Sequence, residues 1–268
     1  MRAPPDTVGS LFLQRLSTRK RRAMSKETPS TSASSQSGGA TIIDPFDPDS
    51  FKEPAIMASG TTAPAQEKPE VELLVFDMGH VFVDFDWSQV CQGFCDRAGM
   101  TREQFKEVLA FVGALGYEDG RVMTEGFVKA LNEKLSLTLS IAEFDELWNF
   151  GFHENVEMAG LLTELGKRYP LYLLSNTNES HYGFLSSKFK VDRHFKELIL
   201  SHKVGFTKPD PRIYQEVLKR SGIAAHKCLF VDDLERNVAA AAELGMHTIR
   251  FVGIDDLKQR LSALGIIA

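Results

Sequence analysis

Asp77, Ser175, Lys208 and the adjacent pair Asp232-Asp233 are the residues of this sequence whose types and placement can do chemistry. A carboxylate can attack an electrophile, move a proton or hold a hard cation. A lysine supplies a compact positive charge, and a serine hydroxyl can hold an anion. Each alone is ambiguous, because a strand-end aspartate is often a turn residue and a serine there is often a helix cap. Asp232-Asp233 says more, since two adjacent carboxylates repel unless a cation lies between them.

Such residues need a scaffold. Asp77, Ser175 and Asp232 end the apolar runs Leu73-Leu74-Val75-Phe76, Leu171-Tyr172-Leu173-Leu174 and Cys228-Leu229-Phe230-Val231, which read as buried strands. Residues 197–200 and 247–251 read as two more strands, and Val81-Phe82-Val83 is a further apolar stretch after Gly79. Helical patterns lie between them. One is opened by Asp210 as N-cap with Pro211 in the first turn. Apolar strands alternating with amphipathic helices predict a parallel sheet covered on both faces, with ligands outside the carboxyl ends of its strands.

From Trp87 to about Asn155 the period is helical throughout. Phe105, Val108, Leu109 and Val112 form one stripe, Phe127, Leu131 and Leu135 a second, and Phe144, Leu147 and Trp148 a third. Thr101 and Gln104 have the spacing of a capping box. The sequence therefore predicts a helical insertion over residues 87–155, between core segments 71–86 and 156–268.

Residues 1–70 differ in kind. Serine, glycine and proline dominate, as in Ser30-Thr31-Ser32-Ala33-Ser34-Ser35, and apolar residues are too sparse to offset the entropy of ordering. A disordered leader is expected. Arg2, Arg15, Arg19, Arg21 and Arg22, with few acids before Met24, also fit an organellar transit peptide. The formal charge of −5 and the lack of a basic stretch in the folded part argue against a nucleic-acid partner. No apolar run reaches membrane-spanning length. Three cysteines, two of them one helical turn apart at Cys91 and Cys95, form no disulfide framework and suit a reducing compartment. The cytoplasm is expected, with import through the leader as the alternative. The sequence does not reveal the oligomeric state.

Four segments carry a resemblance. Val75-Phe76-Asp77-Met78-Gly79, Leu174-Ser175-Asn176-Thr177-Asn178, the run from Lys208 to Tyr214, and the run from Phe230 to Asn237 resemble, in order and spacing, the four motifs of haloacid dehalogenase (HAD) hydrolases. The chain is similar in particular to the subfamily IA sugar-phosphate phosphatases related to bacterial glucose-1-phosphate phosphatase, which also carry Asp-x-Gly in the first motif. The resemblance implies an α/β, Rossmann-like parallel-sheet core with a small helical cap inserted in it. It also implies Mg2+-dependent hydrolysis of a small phosphate monoester, a sugar phosphate by preference, through an aspartyl-phosphate intermediate. Asp77 is then the nucleophile, and Asp77, the Gly79 carbonyl, Asp232 and Asp233 hold the metal. Ser175, the backbone amides of Asn176 and Thr177, and Lys208 bind the phosphate, with Lys208 also acting on Asp77.

One position departs from the family. Most HAD phosphatases carry a second aspartate where Gly79 stands, and it protonates the leaving oxygen, a service worth roughly 10²–10⁴ in rate. His80, Asp84 and Asp86 are candidate substitutes, and His181 either faces substrate or caps a helix. Without a substitute, good leaving groups such as anomeric or acyl phosphates are favoured. The alternative reading is a non-catalytic phosphate- and metal-binding protein. Tyr117-Glu118-Asp119-Gly120, between two cap helices, falls where related enzymes place a loop near the site.

Overall fold

A computed structural model describes residues 69–268, so the expectations for the leader up to residue 68 lie outside the described residues. Five strands form one sheet: β1 (Leu73–Phe76), β4 (Leu171–Ser175), β5 (Glu197–Leu200), β6 (Cys228–Asp232) and β7 (His247–Arg250). Their order is β5-β4-β1-β6-β7, and every pairing is parallel. β1, β4 and β6 are buried along their whole length because both faces are covered, which is why they read as unbroken apolar runs.

The pleat divides the core in two. Leu74, Phe76, Leu173 and Val231 face one layer, which includes α5 (Val156–Leu165), α6 (Glu179–Phe189) and α10 (Ile254–Ala263). Leu73, Val75, Leu174 and Phe230 face the other, which includes α8 (Pro211–Ser221) and α9 (Glu235–Glu243). The chain runs from β1 out to β4 and β5, then returns to β6 on the other side of β1. That reversal opens a crevice at the carboxyl end of β1, the usual ligand site of such sheets.

Between β1 and β4 the chain leaves the core and returns through an antiparallel ribbon of β2 (Val83–Phe85) and β3 (Phe152–Glu154), with Asp84 opposite His153. Only Val83 of the Val81-Phe82-Val83 run joins a strand. The amides of Phe82 and Val83 both donate to the Met78 carbonyl, at 2.9 Å each, which closes a turn ahead of the ribbon.

The cap comprises α1 (Trp87–Ala98), α2 (Arg102–Leu115), α3 (Thr124–Leu135) and α4 (Ile141–Trp148). Thr101 and Gln104 close a complete capping box on α2, and Ser140 and Glu143 do the same on α4. The three apolar stripes meet in a separate core around Phe94, Phe105, Phe127, Phe144 and Trp148. Burying each of these rings contributes about 1.5–3 kcal/mol.

Cap and core are clasped at defined points. Glu179, the first residue of α6, accepts from the backbone N–H of Thr124 at 3.1 Å and from its hydroxyl at 2.9 Å. His181 is buried, stacks on Trp148 with ring centroids 5.1 Å apart, and donates from Nε2 to the Trp148 carbonyl at 3.3 Å. Gly120 lies against the short helix α7 (Ser201–Val204), where a β-carbon would come within 2.1 Å of the His202 carbonyl oxygen.

Glu179→Ala should destabilise the fold by about 1–3 kcal/mol, because it strands the buried Thr124 amide, while Glu179→Gln, which keeps an acceptor, should recover most of that loss. Urea unfolding of the three proteins measures both. An alanine variant as stable as the wild type would show that the clasp contributes nothing.

Candidate active site

The register Phe76↔Val231 continues one residue further and sets Asp77 beside Asp232 at the ends of β1 and β6. The Asp77 amide donates to the Val231 carbonyl at 2.9 Å, which fixes the backbone from which the carboxylate projects. Lys208 reaches in from the loop before α8. Its Nζ lies 2.6 Å from Asp77 Oδ1 and 2.7 Å from Asp232 Oδ2. All three side chains are buried, with Asp77 8 %, Lys208 5 % and Asp232 0 % exposed, so the ion pairs act with little solvent screening.

Asp232 is held from several sides. Asn237 Nδ2 donates to its two oxygens at 3.0 and 3.1 Å, and the Leu234 amide donates to Oδ1 at 2.9 Å. Asp233 is half-buried beside it, and one carboxylate oxygen from each of Asp77, Asp232 and Asp233 lies within 4.8 Å of the others. Three carboxylates face one ammonium, so the cluster carries surplus negative charge in a place poor in water.

The titration of these groups follows from that imbalance. Burial pushes the Asp77 carboxyl up to about 7, with Asp232 and Asp233 adding to the rise and Lys208 opposing it. Burial and the Asp232 charge raise Asp233 to about 6. Burial opposes the Lys208 charge, yet Asp232 and Asp77 outweigh it and raise its pKa. A divalent cation among these oxygens would relieve the repulsion, and an all-oxygen donor set suits Mg2+. The acids present therefore fit the metal that the motifs imply.

The second motif is placed by the end of β4. Ser175 is buried there, and its hydroxyl reaches the Asn176 carbonyl at 3.3 Å. Asn176 turns its side chain to the lysine loop. Its Oδ1 accepts from the Lys208 amide at 2.7 Å, and its Nδ2 donates to the Lys208 carbonyl at 3.0 Å. The expected phosphate role of the Thr177 amide is not available, because that N–H donates to Ser201 Oγ at 2.8 Å. His202 Nδ1 donates to the Thr177 carbonyl at 3.1 Å. Ser201 and His202 thus brace the second motif from α7. Sequence reading missed both, since neither stands in a motif.

The substitutes considered for the missing acid are not placed for it. His80 is exposed, in a left-handed conformation with φ of 56°. Asp84 is exposed on β2. Asp86 is the N-cap of α1, where bonds from Ser88 and Gln89 outweigh the burial that opposes them and lower its pKa. Burial depresses the His181 pKa to about 3, which keeps the ring neutral at the cap–core seam. Gly79 itself has open space, with nothing within 4 Å of where a β-carbon would stand.

Comparison with known proteins agrees with this geometry. A family model described as haloacid dehalogenase-like hydrolase matches residues 71–245. The D-ribitol-5-phosphate phosphatase of Bacteroides thetaiotaomicron is 30% identical over 206 residues, covering 72% of this chain and 98% of that protein. A HAD family enzyme from the same organism, solved with magnesium and inorganic phosphate, superposes with a TM-score of 0.61 at 28% identity, covering 67% of this chain and 93% of that one. A HAD-like family hydrolase from Porphyromonas gingivalis superposes with a TM-score of 0.63 at 26% identity, covering 72% and 98%.

The raised Asp77 pKa makes a prediction about stability. A carboxyl titrating near 7 in the fold, against about 3.9 unfolded, stabilises the fold below pH 4 and loses that contribution as pH rises through 7. With chelator present, Asp77→Asn should therefore melt a few degrees above the wild type at pH 8, on a scale of about 2–4 °C per kcal/mol. The gap should close towards pH 5. A wild type as stable as the variant at pH 8 would mean that the ionised Asp77 is fully compensated by its partners.

Proposed function

The chain belongs to the haloacid dehalogenase-like hydrolases and is a phosphatase, and we propose that it hydrolyses small phosphate monoesters, sugar or sugar-alcohol phosphates above all, with Mg2+ as cofactor and Asp77 as nucleophile. The observation that carries this reading is the buried Lys208 ammonium bridging Asp77 and Asp232, with Asp233 alongside.

Asp77 attacks phosphorus from the end of β1, forming an aspartyl-phosphate that water then hydrolyses. Lys208 opposes protonation of the attacking carboxylate and draws the phosphate towards it by charge. Asp232 orients Lys208 and is itself held by Asn237 and the Leu234 amide. Asn176 fixes the backbone from which Lys208 projects, while the Ser175 hydroxyl would bind a phosphate oxygen. Asp77, the Gly79 carbonyl and Asp233 would hold Mg2+, with Asp232 beside them. When bound, the ion offsets the repulsion between carboxylate and phosphate and gathers charge that develops on the phosphoryl oxygens. The cap closes over this end of the sheet and limits entry of water.

Two features support the substrate class. The relative matched over 98% of its length is named for a sugar-alcohol phosphate, and the buried Lys208 ammonium offers a positive charge to an anionic group. Binding without turnover would draw on the glycine at position 79. It leaves unused a nucleophile that the fold keeps buried at considerable electrostatic cost.

Phosphate release from D-ribitol-5-phosphate, glucose-1-phosphate, glucose-6-phosphate and p-nitrophenyl phosphate tests the proposal. Turnover should require Mg2+ and vanish with chelator. Asp77→Asn should lower kcat by roughly 10³-fold or more, as loss of a nucleophile does. Lys208→Met should cost about 10²–10³-fold, the scale of one lost charge-stabilising donor. A wild type that binds Mg2+ and phosphate yet turns over none of the four esters would favour the binding role.

A further inference from the structure

Gly79 leaves the first motif without an acid for the leaving oxygen; of the polar residues that follow it, His80 and Asp84 are exposed and Asp86 caps α1. In-line attack puts the leaving oxygen opposite the nucleophile. Asp77 attacks from the sheet, so the leaving oxygen points at the cap. The cap segment seated here is the loop between α2 and α3, residues 116–123.

That loop is fixed on both sides of Glu118. Tyr117 is buried, stacks on Phe127 at 4.3 Å and bonds through its hydroxyl to Thr124 Oγ1 at 3.0 Å. Asp119 is engaged by Arg121, with Nε 2.9 Å from Oδ2. Gly120 has φ of 75° and rests on the His202 carbonyl, and His202 in turn donates to Thr177 of the phosphate-binding motif. Glu118 differs from its neighbours. Its half-buried carboxylate has no hydrogen bond or ion pair to any described residue, and it lies within range of the Lys208 charge. Lys208 Nζ is itself 2.6 Å from the nucleophile.

We propose that Glu118 is the proton donor of the reaction, supplied from the cap in place of the acid missing at Gly79. The proposal rests on the phosphatase reading above. In the first step the Asp77–phosphorus bond forms and the bond from phosphorus to the ester oxygen breaks. That oxygen keeps the electron pair and takes the Glu118 proton, leaving as an alcohol. In the second step water attacks phosphorus from the same side, the Asp77–phosphorus bond breaks, and the Glu118 carboxylate takes the proton of the water. Inorganic phosphate leaves and both carboxyl groups return to their starting states. Burial raises the Glu118 pKa, with Lys208 opposing and Asp119 reinforcing the rise, which suits a group that must begin protonated. With such a donor, esters of ordinary alcohols come within reach of a site that Gly79 alone would restrict to good leaving groups.

The test compares wild type, Glu118→Gln, Gly79→Asp and the double variant on D-ribitol-5-phosphate and p-nitrophenyl phosphate. The phenolate of the second ester needs no proton to leave. Glu118→Gln should lower the ratio of kcat/KM on the alkyl ester to kcat/KM on the aryl ester by about 10²-fold or more, the worth of general-acid help in the first step, which is the step kcat/KM reports. Across substituted phenyl phosphates its rate should depend more steeply on leaving-group basicity. The double variant should regain part of the alkyl activity, because the space beside Gly79 admits a side chain. Thermal melts confirm that each variant is folded. Equal losses of kcat/KM on both esters, or no loss on either, would overturn the assignment while leaving the phosphatase reading intact. Absence of turnover in the wild type would remove that reading and this proposal with it.

Discussion

A lysine ammonium held between two buried carboxylates is the constraint on which the rest of this structure depends. None of the three charges tolerates burial alone, so each depends on the opposite charge beside it. The surrounding fold is organised to keep them together. Asn176 grips the Lys208 backbone on both its N–H and its carbonyl, and Asn237 and the Leu234 amide saturate Asp232. β1, β4 and β6 are adjacent because the sheet must deliver Asp77, Ser175 and Asp232 to one edge. The cluster remains short of positive charge even so, and that shortage is what makes a divalent cation a fitting companion.

The same logic explains why the cap is anchored where it is. A crevice over three carboxylates is useful for phosphoryl transfer only if water is limited and the substrate held in line. The cap has its own aromatic core, and a few polar and close-packed contacts join it to the sheet domain. Glu179 with Thr124 and His181 with Trp148 form one side of the seam, and Gly120 on His202 forms the other. His202, on which Gly120 rests, and Ser201 both bond to Thr177, so the short helix that meets the cap loop also shapes the turn after β4.

Much of this is legible in the sequence, and the legible part has a common physical cause. Strands buried on both faces must be apolar throughout, and a polar residue where such a run stops marks a strand end at the mouth of the crevice. Asp77, Ser175 and Asp232 announce themselves that way. Helix starts are equally local, as at Thr101 with Gln104 and at Asp210 with Pro211. What sequence does not disclose is pairing across long separations. The Asn176 backbone amide is the group expected at the phosphate; that its side chain grips Lys208, 32 residues away, has no local sequence signal. The Thr177 amide looks free, but Ser201 takes it, and nothing in the local pattern around Ser201 signals this. Asp86 and His181 carry the right chemistry for proton transfer. Asp86 instead caps α1 through bonds to Ser88 and Gln89, a local pattern, whereas the place of His181 on Trp148 emerges only when the cap is folded against the core.

An acid on the core and an acid on the cap are not equivalent even where they deliver the same proton. A core aspartate at position 79 would be in place whether or not the cap is seated. Glu118 belongs to a loop whose Gly120 rests on His202, so under the proposal above protonation of the leaving group depends on how the cap is seated. Binding energy from the remainder of the substrate, spent on seating the cap, would then be expressed in kcat and not in affinity alone. The loop that meets the leaving group would also be the loop that selects it, tying specificity and proton transfer to a single short segment anchored by Tyr117 and Gly120.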